Sequence, residues 1–181
     1  MIYLIILIFV LALYSELQFT IYKSCNTIEL YKNLRGVNIY IDNHAENSNA
    51  FTVGIIKHSI IISKQLVYKL TELELNAILL HEVGHVKNKH SLINQIVTTA
   101  YIGLVWFTIS LTDLQSIAFI IIAILFIYLS RKRLNYIQES EADNYSARTD
   151  KISLISGLTK ISSNKKTFTH LGTKKRVQLI K

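Results

Sequence analysis

His81, Glu82 and His85 form an H-E-x-x-H run in which two imidazoles lie four residues apart. On a helix that spacing puts both rings on one face, where they can share a single metal ion. Glu82 then sits beside the first ligand, within reach of a metal-bound water, as a general base must. The chain has one cysteine, Cys25, so thiolate zinc sites and intrachain disulfides are excluded. The expected cofactor is one zinc ion per chain, held by histidine and carboxylate. A catalytic zinc takes three protein ligands and leaves a fourth position open. The third ligand must come from elsewhere, and the best source is Glu139-Ser140-Glu141-Ala142-Asp143. Helical spacing sets Glu139 and Asp143 on one face and Glu141 roughly opposite, so Glu139 and Glu141 cannot both be ligands. The coherent assignment is Glu139 as ligand, with Asp143 holding the second N–H of a ligand imidazole. Alone, this acidic run reads as a solvated helix face; the histidine motif is what makes it a ligand source.

The elements that must position these residues are legible in outline. Thr71-Glu72-Leu73-Glu74 is a capping box, and apolar residues at helical spacing follow it, which predicts a helix from about 72 to 89. Upstream, VNIYID, AFTVGII and SIIIS are short β-rich runs separated by Asn, Asp and Gly positions, predicting a small sheet of two or three strands. Residues 133–149 and 151–162 read as two more helices. The chain contains no proline, so helix ends must be set by caps, glycine and charge.

Three stretches have membrane length. Residues 1–22 are apolar, but the uncharged run before Glu16 rises only about 22 Å as a helix, so a span needs the whole segment through Tyr22. No Lys or Arg precedes it and no clear cleavage site follows it, which favours an uncleaved anchor over a signal peptide. Residues 92–130 carry one charge, Asp113, near the middle, and predict a helical hairpin crossing a bilayer twice. Lys23, Lys87, Lys89 and Arg131, Lys132 and Arg133 flank the spans. By the positive-inside rule the N-terminus lies outside and both polar parts are cytoplasmic. The fold expected is therefore an α+β, mostly helical membrane protein in four parts: an anchor over 1–22, a first half of the catalytic domain over 23–91, the hairpin over 92–130, and a second half over 131–181. The hairpin should bring the two halves of the metal site together at the cytoplasmic surface.

Composition agrees. The 181 residues are 50% hydrophobic and 18% charged, with a mean hydropathy of +0.32, which excludes a disordered or fibrous chain. Twenty Lys and Arg against 12 Asp and Glu give a net +8. The topology signal and an anionic leaflet account for that excess, and no aromatic and basic interleaving marks a nucleic-acid module.

These motifs together resemble the membrane zinc metallopeptidases that include HtpX-type and CAAX prenyl proteases. The resemblance spans roughly residues 35–181 and rests on Asn49-Ala50-Phe51, HEVGHVKNKH at 81–90, ESEAD at 139–143, and Thr169-His170 with Arg176-Val177. Leu171 departs from the proline usual there, and one N-terminal span departs from the usual two. The resemblance implies that His81, His85 and Glu139 bind zinc, that Glu82 is the general base, and that Asp143 is a supporting carboxylate. It further implies that His170 and Arg176 help hold the oxyanion and orient the ligand carboxylate, and that the strand of Asn49, Ala50 and Phe51 binds extended substrate by edge pairing. His90 also matches, though its place in a helix's last turn is equally explained by the helix dipole. His44 and His58 match nothing and read as surface residues. The implied function is an endopeptidase acting on membrane or unfolded proteins at the cytoplasmic face. Its alternatives are a prenyl-protein C-terminal protease and a non-catalytic membrane sensor that kept the fold.

Overall fold

The computed structural model describes residues 17, 20, 23, 24, 28–45, 47–55, 57–111, 117–161 and 173–180. The anchor expected over 1–22 falls outside them apart from Leu17 and Thr20, as do the polar break at Asp113 and the segment bearing Thr169, His170 and Leu171.

Four strands form one mixed sheet: β1 (Ile28–Leu34), β2 (Val37–Asp42), β3 (Ala50–Val53) and β4 (Ser59–Ser63), in the order β1-β2-β4-β3. β2 pairs parallel to β4, and the other two pairings are antiparallel. Three of the strands are the β-rich runs read from the sequence. β1 is additional, and its mostly exposed, charge-bearing sequence IELYKNL gave no clear alternation. It is joined to β2 by Arg35 and Gly36, both at positive φ (52° and 86°), the two-residue turn whose twist suits a hairpin. β4 is buried along its whole length, so it reads as an unbroken apolar run. β3 lies at the sheet edge.

The helices start where their caps direct. Ser63 caps α1 (Lys64–Lys69), its hydroxyl accepting from Leu66 N at 3.2 Å. The predicted capping box opens α2 (Glu72–Lys87): Glu74 N donates to Thr71 Oγ1 at 3.4 Å and Thr71 N to Glu74 Oε2 at 2.9 Å. α2 closes at Asn88, Lys89 turns the chain at φ 54°, and α3 (His90–Leu111) begins at once. α4 (Ile117–Ile161) is broken at Asp150 (φ −151°, ψ 94°), between the two helices expected from the sequence. Asp150 caps the second segment, accepting from Ser153 N at 3.0 Å, and these bonds hold its carboxyl below the usual range. Before that break α4 runs continuously from the apolar arm through Glu139 and Asp143. α5 (Thr173–Ile180) completes the set.

Ile39, Ile60, Ile62, Leu66, Leu79 and Leu154 are fully enclosed in a core between the sheet, α2 and the second segment of α4, with Ile180 of α5 closing one side. Outside this core the two arms differ in kind: α3 and the first part of α4 expose Ile96, Trp106, Phe107, Ile122, Leu125 and Phe126. Among the described residues, no helix is long and apolar enough to cross a membrane.

The cap residue Glu74 also fastens the second segment of α4 to α2. Its carboxylate, in a residue only 5% exposed, accepts from Lys160 Nζ at 2.7 Å and Ser156 Oγ at 2.6 Å. The Lys160 bond first, then those from Ser156 and Thr71, hold its carboxyl down at about 2 against an ordinary 4.5. The folded chain thus binds fewer protons at Glu74 than the unfolded chain, so this stabilisation is complete above pH 4.5 and disappears as pH falls towards 2. Unfolding by denaturant at a series of pH values between 5 and 2 should show wild-type stability falling through that window. The fall should be shallower in Glu74→Gln, which keeps the cap geometry and loses the charge.

Candidate active site

α2 and the first segment of α4 cross with unusual intimacy, and that crossing builds the site. A Cβ added at Gly84 would lie 3.0 Å from Ala142 Cα and 3.2 Å from Ala142 O. A side chain there would press on backbone that must give by a few tenths of an ångström, and the glycine sits between His81 and His85 while Ala142 sits between Glu139 and Asp143. The four functional side chains are thereby brought to one place from two helices. Ser146 Oγ, donating to Ala77 O at 2.6 Å, pins the same pair of helices one turn further on.

His81, His85 and Glu139 form the one group of metal-capable donors among the described residues, each offering an atom within 4.8 Å of the others. His81 Nε2 and His85 Nε2 are 3.2 Å apart, and Glu139 oxygens lie 3.8 and 3.6 Å from them. Tetrahedral zinc with bonds near 2.0–2.1 Å requires neighbouring ligand atoms about 3.4 Å apart. The separations fit. The tautomers fit as well: His81 Nδ1 is 2.9 Å from Asp143 Oδ1, an acceptor only, which assigns a proton to Nδ1 and a lone pair to Nε2. His85 reaches the same state by a longer route. Its Nδ1 is 2.7 Å from His90 Nδ1, and His90 Nε2 is 2.9 Å from Glu141 Oε2. With His90 donating to Glu141, its Nδ1 accepts from His85, whose Nε2 is left as a lone pair. Two lone pairs and a carboxylate converging on one point are a cation's donor set.

Arg176, brought in by α5, locks the carboxylates. Its Nε donates to Asp143 Oδ2 at 2.9 Å and its Nη2 to Oδ1 at 2.6 Å, while Nη1 lies 3.3 Å from Glu139 Oε2. Nη2 also comes within 3.1 Å of His81 Nδ1. Burial pushes the Asp143 carboxyl up, but hydrogen bonds and charge from His81 and Arg176 outweigh it and hold the group at about 2. Burial likewise opposes the Arg176 charge, and the bond to Asp143 with the charges of Asp143, Glu139 and Glu82 raises it above its ordinary value.

Glu82 is 5% exposed, and one oxygen accepts from Thr52 Oγ1 at 3.1 Å. Thr52 is on edge strand β3, immediately after Ala50 and Phe51, and Phe51 and Thr52 line a cavity of about 330 Å³ together with Glu82, His85 and Glu139. Asn49 lies beside that strand with its N–H on Ser63 Oγ at 3.0 Å. The structure thus gathers His81, Glu82, His85, Glu139, Asp143 and Arg176, and brings the strand of Asn49, Ala50 and Phe51 alongside; His170 is outside the described residues. His44 is exposed and His58 bonds Gly54 O at 3.0 Å.

Sequence reasoning missed three contributors. His90 is not in a helix's last turn but first in the next helix, and at 2% exposure it is a buried support for His85. Glu141 serves the site through His90 although it faces away from Glu139. Thr52 lies 30 residues from its partner on another element, and nothing in the sequence signals the bond.

A buried histidine and carboxylate cluster with a neighbouring carboxylate, set under the edge of a small sheet, is the arrangement that an H-E-x-x-H metallopeptidase uses. The chain belongs to peptidase family M48, whose family model matches residues 16–181. This agrees with the resemblance to HtpX-type and CAAX prenyl proteases carried by its motifs. Among solved structures, the crystal structure of S. mikatae Ste24p shares the fold, with a TM-score of 0.67 at 16% identity over 98% of this chain. The chain spans 57% of the length of that structure. No curated protein sequence matches the chain significantly.

The supports make graded demands on metal affinity. Glu139→Gln should abolish zinc retention, whereas His90→Ala and Glu141→Ala should each weaken zinc binding about 10- to 100-fold, as loss of an outer partner does. Competition with a chromophoric chelator measures this, and an unchanged affinity in Glu141→Ala would reduce that residue to a solvated surface charge. Gly84→Ala tests the crossing itself. A helix gains about 1 kcal/mol from that change in isolation, but overpacking against unyielding backbone costs about 1–3 kcal/mol. The variant should therefore be less stable in denaturant titration and bind zinc more weakly.

Proposed function

We propose that the protein is a zinc-dependent endopeptidase that cleaves membrane or membrane-proximal proteins at the cytoplasmic face. The observation that carries the reading is the sharing of one cavity by Glu82, His85, Glu139 and the edge strand β3. His81, His85 and Glu139 would hold the metal. When bound there, zinc supplies a Lewis acid that polarises the scissile carbonyl and acidifies the attacking water.

The remaining work belongs to the chain's own side chains. A peptide laid along β3 as a further strand has its backbone beside Glu82, so the carbonyl to be attacked is oriented by main-chain pairing rather than by side-chain pockets. Glu82 takes a proton from the attacking water and returns it to the leaving amine. Thr52 Oγ1 donates to one Glu82 oxygen and so helps to fix the carboxylate beside the strand. Asp143 and Arg176 keep the ligand side chains fixed, and His170 stands as a candidate to stabilise the developing oxyanion.

Membrane attachment is supported by the exposed apolar side chains of α3 and the first part of α4, a surface that water does not favour. Arg131, Lys132 and Arg133 follow that surface directly, where cytoplasmic headgroups would meet them. On this reading the two arms sit in lipid and the site opens at its edge. Substrates held in the same membrane would reach it at raised effective concentration.

Glu82→Gln preserves size and Thr52's acceptor but cannot take the proton. It should lower casein cleavage by detergent-purified protein about 10²- to 10⁴-fold, with zinc content by elemental analysis unchanged. Undiminished turnover in this variant, or turnover in wild type that survives a strong chelator, would overturn the mechanism.

A further inference from the structure

Edge strand β3 presents only part of its main chain to a further strand. Ser63 N donates to Asn49 O at 2.9 Å, and from that pair the antiparallel register runs Ala50 with Ile62, Phe51 with Ile61 and Thr52 with Ile60. Bonded and non-bonded pairs alternate along such a ladder, so Phe51 is bonded to β4 while the N–H and C=O of Ala50 and Thr52 turn to the open edge. Of these two residues, Thr52 lines the 330 Å³ cavity at the metal donors, and it also lines an adjoining hollow of about 200 Å³. The outward main chain of Thr52 is therefore the part of β3 that a peptide entering beside the donors meets.

The side chain of the same residue goes elsewhere. Thr52 Oγ1 reaches across to α2 and donates to Glu82 Oε2 at 3.1 Å, on a residue that is 5% exposed. Only Cβ separates that hydroxyl from Cα, and a β-branched residue is stiff at χ1, so the hydroxyl follows the backbone closely. Glu82, by contrast, rides on α2, whose place is set by the crossing with α4 at Gly84. A glutamate has several torsions to fix, and a tether at its terminal oxygen restricts them all. Thr52 thus shows its main chain to the substrate edge and its hydroxyl to the base.

We propose that Thr52 is a positioning residue that couples substrate pairing to the general base. A peptide added at the open edge makes β3 an interior strand and fixes the Thr52 main chain from both sides. The hydroxyl passes that order to the Glu82 carboxylate, so the base is best placed when a substrate is paired opposite Thr52. The inference rests on the peptidase reading and adds to it a source of selectivity. Side-chain identity matters little at the paired position, whereas a main-chain group missing there slows the chemical step as well as weakening binding. An error of about 1 Å in a reacting group can cost about 10²-fold in rate, so one hydroxyl is enough to govern turnover.

The test uses full-length, zinc-loaded, detergent-purified protein and a fluorescent peptide taken from a casein cleavage site. Thr52→Val keeps the β-branched shape and removes the hydroxyl. It should lower kcat about 10- to 100-fold with KM changed less than about 3-fold and zinc content unchanged, and Thr52→Ser should recover most of the loss. The same peptide, N-methylated at one main-chain nitrogen at a time, then locates the paired position. Its binding to Glu82→Gln protein, read without turnover, should weaken most there. In the Glu82-bearing enzyme that methyl should also lower kcat, and its loss combined with Thr52→Val should fall short of the product of the two by more than about 2-fold. An unchanged kcat in Thr52→Val overturns the coupling, as does a loss that tracks zinc content or that Thr52→Ser does not relieve. Methyl and Thr52→Val losses that simply multiply overturn it too. The two ideas fail separately. Wild type that cuts none of the peptides sinks the peptidase reading and this inference with it, while cleavage indifferent to the Thr52 hydroxyl sinks only the coupling.

Discussion

Everything at the site depends on one close approach of two helices. Gly84 lets the backbone of α2 come against the backbone of α4 at Ala142, and the next side chains on either side are the ligands and their supports. A separation larger by a few tenths of an ångström would move the histidine pair and the carboxylate pair apart as rigid units. Close-packed interiors compress little and pass strain on, so a change in that distance reaches the donor atoms. The glycine in the motif is thus a packing residue whose effect is read in coordination geometry.

Around that crossing, charge is arranged so that no buried ion stands alone. Asp143 would be expensive to bury by itself, and Arg176 equally so, but the guanidinium's planar fork answers both carboxylate oxygens and leaves a third nitrogen for Glu139. Asp143 Oδ1, 2.9 Å from His81 Nδ1, in turn fixes the His81 tautomer. His85 gains an equivalent support by relay through His90 to a carboxylate that faces solvent. The two ligand histidines therefore have backing of different kinds. One is sealed in a buried ion pair, and the other ends at the surface, where water competes for Glu141.

The sheet and the arms give the site its setting. β4, buried throughout, holds β3 at an edge in register with Thr52 beside Glu82, so the base and the expected substrate strand are placed by the same element. α3 begins directly after α2, and its first two turns bring His90, Ser91 and Asn94 to the cavity wall. The apolar surface of α3 and the first part of α4 thus continues directly into two of the elements that line the cavity.

Much of this was legible in the residues alone. The capping box, the helix over the metal motif, the break near residue 150 and the grouping of Glu139, rather than Glu141, with the histidine pair all follow from periodicity and cap chemistry. These are local rules, set within a few residues of chain. The fourth strand was not legible, because IELYKNL is an exposed strand whose charges blur the alternation that identifies strands. Three functional contacts were equally hidden. His90 reads as a helix-end histidine until the turn at Lys89 starts a new helix there. Glu141 reads as solvated until His90 reaches it, and Thr52 reads as an ordinary strand threonine. The Thr52–Glu82 and His90–Glu141 contacts join residues 30 and 51 positions apart across elements. The sequence alone determined which groups could do the chemistry, since side-chain type and helical spacing single out the donor group and the neighbouring carboxylate. Only the tertiary structure decided which groups hold them in place, because such contacts are set by how helices and strands pack, and local spacing carries no record of that.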